Sequence, residues 1–269
     1  GHAYVFDATL DESSRFRSLI EQGLRAAIAS DELSLVYQPI VRQDTLAVVG
    51  FEALVRWNSP SHGIVPPSIF VPIAEEGGLI HELTDWVLPR ALETCRAWPD
   101  QYVSINFSPR QFHRARFVER LQEAVATAGL RPDRVQVEIT ETALFDDADH
   151  AMKHVAELQA LGFRIALDDF GTGYSSLFNL KNFSIDCIKI DRAFVTSLGK
   201  EANSTAIVAS ITQLARSMGL TVVAEGVETA EQAQVLRELG CDEVQGYWIS
   251  RPMPGADFAS WYVTYNRAR

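Results

Sequence analysis

The sequence predicts a single large α/β domain of the modified TIM-type (β/α)8 barrel class, with one strand antiparallel to the rest. Three observations carry this. From Leu33 onward, short β-branched runs alternate with helix-length amphipathic stretches about eight times over. Several of those runs stop on a residue that can hold a hard cation or handle a proton, and the C-terminal strand ends are where a parallel barrel keeps its chemistry. Only residues 42–46 separate the first two strand candidates. Five residues make a hairpin, whereas a parallel crossover needs about a dozen or more.

Taken in order, Gly1-His2 reads as an expression scar and residues 3–12 are polar with no clear period. Residues 13–30 read as one amphipathic helix, since Phe16, Leu19, Ile20, Leu24, Ala27 and Ile28 recur at helical spacing. Segment 3–30 is therefore a linker and helix, either joining an absent upstream domain or padding the barrel, and 31–269 is the barrel domain. Strands are predicted at 33–40, 47–57, 102–106, 134–138, 164–168, 187–190, 221–225 and 243–245. The helices between them carry legible punctuation. Ser108-Pro109 with Gln111 is a capping box with proline at the first helical position, and Gly129 is placed to close that helix. Gly162 and Gly219 follow two other helical patterns. Thr229 with Gln232 is a second capping box, for a helix ending at Gly240.

Composition limits the function classes. The 269 residues are 47% hydrophobic and 22% charged, with a net charge of -11. Charge-driven binding to duplex nucleic acid needs a basic face and is excluded on that ground. An acidic protein still binds a phosphate ester when metal ions neutralise the site. No apolar stretch reaches the roughly 18 residues of a membrane span, and no signal peptide is visible, so a cytoplasmic location is expected. Cys95, Cys187 and Cys241 are widely spaced, form no CxxC pair, and read as buried reduced thiols. His150 and His154 have i, i+4 spacing without the acid of a zincin motif, and no GxSxG elbow is present.

The acids carry the chemistry. Val103-Ser104-Ile105 stops on Asn106, Val135-Gln136-Val137 on Glu138, and Ile165-Ala166-Leu167 on Asp168-Asp169. Ile185 to Ile188 leads to Lys189, and Val222-Val223-Ala224 stops on Glu225. Singly, an acid after a strand is a helix cap or a solvated turn, and Asp191 reads as such a cap. Glu52, Glu138, Asp168 and Asp169 brought together cannot all be ionised without protons or cations, because two carboxylates ~4 Å apart repel by about 4 kcal/mol. An all-oxygen set, with Asn106 adding a carbonyl, selects magnesium, manganese or calcium over zinc. Two such ions clamp a phosphoryl group and acidify a water, with Lys189 orienting it and Glu225 as ligand or proton acceptor. The segment Asp-Phe-Gly-Thr-Gly-Tyr-Ser-Ser-Leu, residues 169–177, matches neither the P-loop nor the dinucleotide fingerprint and reads as a mobile active-site loop.

These residues also resemble a known family. Glu52-Ala53-Leu54 lies inside Gly-Phe-Glu-Ala-Leu-Val-Arg-Trp, and Tyr37-Gln38-Pro39-Ile40 precedes it. Pro72-Ile73-Ala74-Glu75-Glu76, Asn106-Phe107-Ser108, Glu138-Ile139-Thr140-Glu141, Asp168 through Leu177, Lys189-Ile190-Asp191, Ala224-Glu225-Gly226-Val227-Glu228 and Gln245-Gly246-Tyr247 follow in order. The set is similar to the EAL-domain phosphodiesterases of cyclic di-GMP, from about Leu33 to Pro254.

The resemblance implies a modified barrel that hydrolyses one phosphodiester of cyclic di-GMP to linear 5′-pGpG, using two magnesium or manganese ions. Glu52, Asn106, Glu138 and Asp168 look like ligands of one ion, and Asp168 and Asp169 of the other. Lys189 resembles the lysine that holds the attacking water, Glu225 the acid at metal-bound water, and Gln245 the glutamine beside it. Glu141 resembles the anchor of the 169–177 loop, and Gln38, Leu54, Arg56 and Glu228 look like substrate contacts. Val55 stands where many members have leucine, a modest apolar change. The family implies a homodimer, and Tyr4-Val5-Phe6-Asp7 resembles the junction after a diguanylate-cyclase-type domain. A catalytically silent cyclic di-GMP receptor is the alternative, against which the complete acid set argues.

Overall fold

The computed structural model describes residues 8–141, 148–171, 184–198 and 202–267. The chain divides into two compact units, Gly1–Ser34 with Val55–Val87, and Leu35–Leu54 with Leu88–Arg269.

The second unit is the barrel. Its strands are β1 (Leu33–Arg42), β2 (Val48–Ser59), β4 (Tyr102–Asn106), β5 (Val135–Thr140), β6 (Arg164–Phe170), β7 (Cys187–Ile190), β8 (Thr221–Ala224) and β9 (Glu243–Val244). From β2 through β4 to β9 every neighbour pairs in parallel. β1 pairs antiparallel with β9 and pairs also with β2, which closes the ring. The expected hairpin is tight, with Arg42 N donating to Ala47 O at 2.9 Å and Leu46 at a positive φ of 55°. A short β10 (Met253–Pro254) adds to β1 at Val36 and Tyr37. Its signal in the sequence is too brief to have been read.

Strand side chains alternate in direction, so residues two apart share a face. In β4, β6 and β8 the barrel-facing set contains Tyr102 and Ser104, Ala166 and Asp168, and Val223. Tyr102 packs with Ile40, Ala166, Cys187 and Val223 from four other strands into one buried cluster. Gly50 makes room for that ring, since a Cβ there would lie 2.7 Å from it.

The punctuation is largely as expected. Gly162, Gly219 and Gly240 have φ of 93°, 72° and 84° after their helices. The Thr229 box caps a helix at Ala230–Leu239 and is reciprocal with Gln232. One expectation is corrected. The Ser108 capping box starts a 3-10 turn, Pro109–His113, and the α-helix is a separate element, Phe117–Thr127. Residues 114–116 break the two apart, with Arg116 in the left-handed region at φ 58°. Gly129 follows the second piece. Asp191 caps the short helix Arg192–Thr196 by accepting from Ala193 N at 2.8 Å. The three cysteines are free and buried.

In the first unit, α1 (Ala8–Ile28) buries Ile20, Leu24 and Ala27. Trp57, 1% exposed, packs edge-on to Phe70 at 5.8 Å, and its Nε1 donates to Glu32 at 3.0 Å. Gly23 admits the indole, whose Cη2 would lie 3.1 Å from a Cβ. Arg17 pairs with Glu76 of α2 (Pro67–Glu76) at 2.7 Å. β3 (Gly63–Val65) folds back on β2, a hairpin the sequence reading did not include. No described helix is long and apolar enough to cross a membrane.

Candidate active site

All eight barrel strands or their exits deliver polar groups to one mouth. Lys189, in the middle of β7, is 1% exposed, and its Nζ is the centre of the arrangement. It lies 2.6 Å from Glu225 Oε1, 2.7 Å from Glu138 Oε1, 3.4 Å from Asp168 Oδ1 and 3.9 Å from Glu52 Oε2. Four carboxylates facing one ammonium would leave three negative charges, more than a buried site sustains without protons or cations. Burial pushes the Glu138 carboxyl well up, against Lys189, which pulls it down, and Glu52 and Asp168 push the same way as burial. Burial also raises Glu225 to about 8 despite Lys189, with Asp168 and Glu52 adding to the rise. The lysine itself is held well above its ordinary value, because the surrounding carboxylates outweigh the cost of its own burial.

Beneath the carboxylates runs a hydrogen-bonded chain. Gln136 Nε2 donates to Ser104 Oγ at 3.0 Å, and Ser104 Oγ donates to Glu138 Oε1 at 2.5 Å. Glu52 accepts from Asn106 Nδ2 at 2.8 Å and from Gln245 Nε2 at 2.7 Å. Gln245 also donates to Gln38 Oε1 at 3.2 Å, and Gln38 donates to Ser250 O at 3.1 Å. Gly246 lets this corner close, because a Cβ there would meet Val227 O at 2.1 Å. Ser104 and Gln136 were not among the candidate site residues. Their signal was available, since each is a polar residue in an apolar strand, two positions before Asn106 and Glu138.

Two consecutive aspartates on a regular strand would point to opposite faces. The β6–β7 register shifts between Leu167 and Phe170, and Asp169 sits at φ 54°. This bulge re-aims Asp169. Burial, then Asp168 and Asp191, raise its carboxyl to about 6. Glu141, 2% exposed, accepts from Gly171 N at 3.0 Å through Oε2, at the start of the 169–177 loop. The rest of that loop lies outside the described residues. Leu54 is half-buried and Glu228 exposed, with Glu228 N donating to Gln232 Oε1 at 2.7 Å. Arg56 belongs to the other compact unit, where its Nη1 donates to Val55 O at 2.8 Å.

The donor chemistry suits a hard cation. Every carboxylate here offers oxygen, and Glu138 Oε2 is buried without a hydrogen-bond partner among the described residues. Among those same residues, no group of three or more His, Cys, Asp or Glu is arranged to hold an ion. The acids converge on the Lys189 ammonium instead.

Comparisons with known proteins agree with this layout. The family model of the EAL domain matches residues 21–252. An uncharacterized signaling protein of Caulobacter vibrioides is 46% identical over 95% of this chain and 32% of its own length. The bifunctional diguanylate cyclase/cyclic di-GMP phosphodiesterase MucR of Pseudomonas aeruginosa is 38% identical over 93% of this chain and 37% of its own. The solved structure of the PaMucR phosphodiesterase in complex with c-di-GMP superposes with a TM-score of 0.85 at 39% identity, covering 89% of this chain and 99% of that one. The chain spans about a third of the length of these curated relatives. With the family model covering most of its length and the acids gathered at the barrel mouth, this chain belongs to the EAL-domain family.

Proposed function

We propose that this chain is a metal-dependent phosphodiesterase that hydrolyses cyclic di-GMP to linear 5′-pGpG. The observation that supports it most is the meeting of Glu52, Glu138, Asp168 and Glu225 around Lys189 at one barrel mouth, in a chain similar to MucR. A pure receptor has no need of so costly a buried cluster of like charge.

Glu52, Asn106, Glu138, Asp168, Asp169 and Glu225 are the residues that would hold two magnesium or manganese ions, whose chemistry is to polarise the phosphoryl oxygen and acidify a water. The chain's own groups do the rest. Lys189, fixed by Glu138 and Glu225, orients the attacking water and offsets charge on the phosphate. Glu225 accepts the proton that water gives up. Gln245 and Gln38 hold Glu52 in place, and Gln38, Leu54 and Glu228 contact substrate. In the longer proteins of this family a diguanylate-cyclase-type domain lies upstream in our reading, the assembly is a homodimer, and the location is cytoplasmic.

The test is direct. The chain is incubated with cyclic di-GMP and magnesium, manganese or calcium in parallel, and the products are separated by chromatography. Appearance of 5′-pGpG with magnesium or manganese is the expected result. Binding of cyclic di-GMP without product assigns a receptor instead, and neither binding nor product removes the nucleotide from the reading.

A further inference from the structure

We propose that the opposite, N-terminal mouth of the barrel is a second binding site, for a small phosphate monoester. A cavity of about 590 Å³ opens there. The residues that line it come from strand beginnings: Tyr102 opens β4, Arg164 opens β6 and Glu243 opens β9, while Arg42 ends the antiparallel β1. Ile40, Ala166, Cys187 and Val223 form an apolar layer inside the barrel at this end, packed against Tyr102. The cavity shares no lining residue with the acid site.

The polar side chains of the lining separate by whether their hydrogen-bonding groups are used. Arg131 is held by Asp133 through contacts of 3.0 and 2.5 Å. Arg134 gives its donors to the carbonyls of Gln101, Cys95 and Trp98. Asp242 accepts from Val222 N at 2.9 Å. Glu243 accepts from Tyr102 OH at 2.8 Å; burial raises its carboxyl, while Tyr102, Arg164 and Arg42 pull it down. Asp100 is exposed. Arg42 and Arg164 remain. The side chain of neither donates a hydrogen bond to a described residue; both lie near enough to Glu243 to lower its carboxyl, and the half-buried Arg164 lies 4.0 Å over the Tyr102 ring. A guanidinium in a cavity with its N–H donors unused favours an anion.

Two guanidinia lining one cavity select the anion. One carboxylate satisfies one guanidinium fork, whereas the three terminal oxygens of a phosphate serve two forks at once. Inorganic phosphate fills only a small part of this volume, which is of the size that small-molecule sites have. Val49 and Pro99 in the lining give the organic part an apolar contact. The ligand is therefore an ester of sugar or mononucleotide size. This inference does not rest on the phosphodiesterase reading.

The test titrates the full chain with inorganic phosphate and with ribose 5-phosphate at constant ionic strength, following the arginine Nε–H signals by NMR and the heat by calorimetry. Saturable shifts of Arg42 and Arg164 are expected, with the ester binding more tightly than phosphate. Arg42→Gln, at an exposed position, weakens the ester by about tenfold, the cost of one charge-assisted hydrogen bond. Glu52→Ala leaves the affinity unchanged. No saturable shift at millimolar ligand overturns the site, as does a shift that survives in both Arg42→Gln and Arg164→Gln or disappears in Glu52→Ala. Equal affinity for phosphate and ester overturns the ester assignment.

Discussion

Lys189 Nζ and Glu225 Oε1 lie 2.6 Å apart, yet burial and the neighbouring acids raise Glu225 to about 8. One ammonium therefore serves several carboxylates and satisfies none in full. Removing it leaves the acids with no counter-charge. Lys189→Met is expected to destabilise the metal-free protein by about 3 kcal/mol, the lower end of the cost of breaking a buried pair. Urea denaturation at pH 7 with a chelator measures this. Manganese should recover part of the loss, and an unchanged midpoint would mean that the lysine does not hold the cluster.

The same cluster sets a pH dependence. Glu225 rises from its ordinary 4.5 to about 8, Asp169 from 3.8 to about 6, and Glu138 also rises. The folded chain then keeps protons that the unfolded chain has released. Stability tied to these groups is fully present below their ordinary values and is lost as pH climbs through the folded ones. In chelator, the melting temperature is expected to fall between about pH 5 and 8. Glu225→Gln should flatten the upper part of that fall. Saturating manganese should flatten all of it, because cations then neutralise the carboxylates in place of protons. A melting temperature that rises over this interval would contradict the sign.

Glu52 is the acid whose removal separates chemistry from folding. Its oxygens are held by Asn106 and Gln245 rather than by core packing, and it is the farthest of the four acids from Lys189. Glu52→Ala is expected to lower turnover of cyclic di-GMP by about 100-fold or more, beyond the loss that follows removal of a residue merely supporting a metal ligand. The melting temperature in chelator should stay level or rise, since one repelling charge is gone. Retained turnover would remove Glu52 from the ligand set.

Much of this was legible because barrel chemistry is written at strand ends. Asn106, Glu138, Asp168 and Lys189 could be located from apolar runs alone, and β4 and β7 fall on their predicted limits. The hairpin between β1 and β2 followed from loop length. What escaped depends on non-local pairing. Two-residue β10 exists only because β1 offers it an edge. The split after Ser108 turns on the left-handed Arg116, a conformation that arginine does not announce. The bulge that re-aims Asp169 is likewise invisible in a run that reads as regular strand.

Ser104 shows how an overlooked residue contributes. Its hydroxyl joins Gln136 to Glu138 at 3.0 and 2.5 Å, so Ser104→Ala leaves the amide without its acceptor and the carboxylate without its donor. The expected cost is about 1–3 kcal/mol of stability. Manganese affinity should fall by about 10-fold to 100-fold, as for other residues that orient a metal ligand. Calorimetric titration of the metal checks this separately from turnover. A purely structural serine would lower stability and leave the metal affinity where it was.

Glu141 tests whether one buried acceptor controls the loop that follows β6. Its Oε2 takes the Gly171 amide at 3.0 Å, and Gly171 has φ of 96° with Phe194 only 3.0 Å from where a Cβ would stand. The backbone at this point is thus fixed from two sides, by the carboxylate and by the ring. Glu141→Ala removes the first and leaves the Gly171 N–H without this acceptor, so loop geometry and with it the Asp168–Asp169 pair are released. Metal affinity and the KM for cyclic di-GMP should both worsen by about 10-fold to 100-fold. Glu141→Gln keeps an amide oxygen at the same reach and should recover most of both. If the two variants behave alike, charge rather than the Gly171 bond is what the position supplies. If neither differs from the parent chain, the anchoring role is wrong.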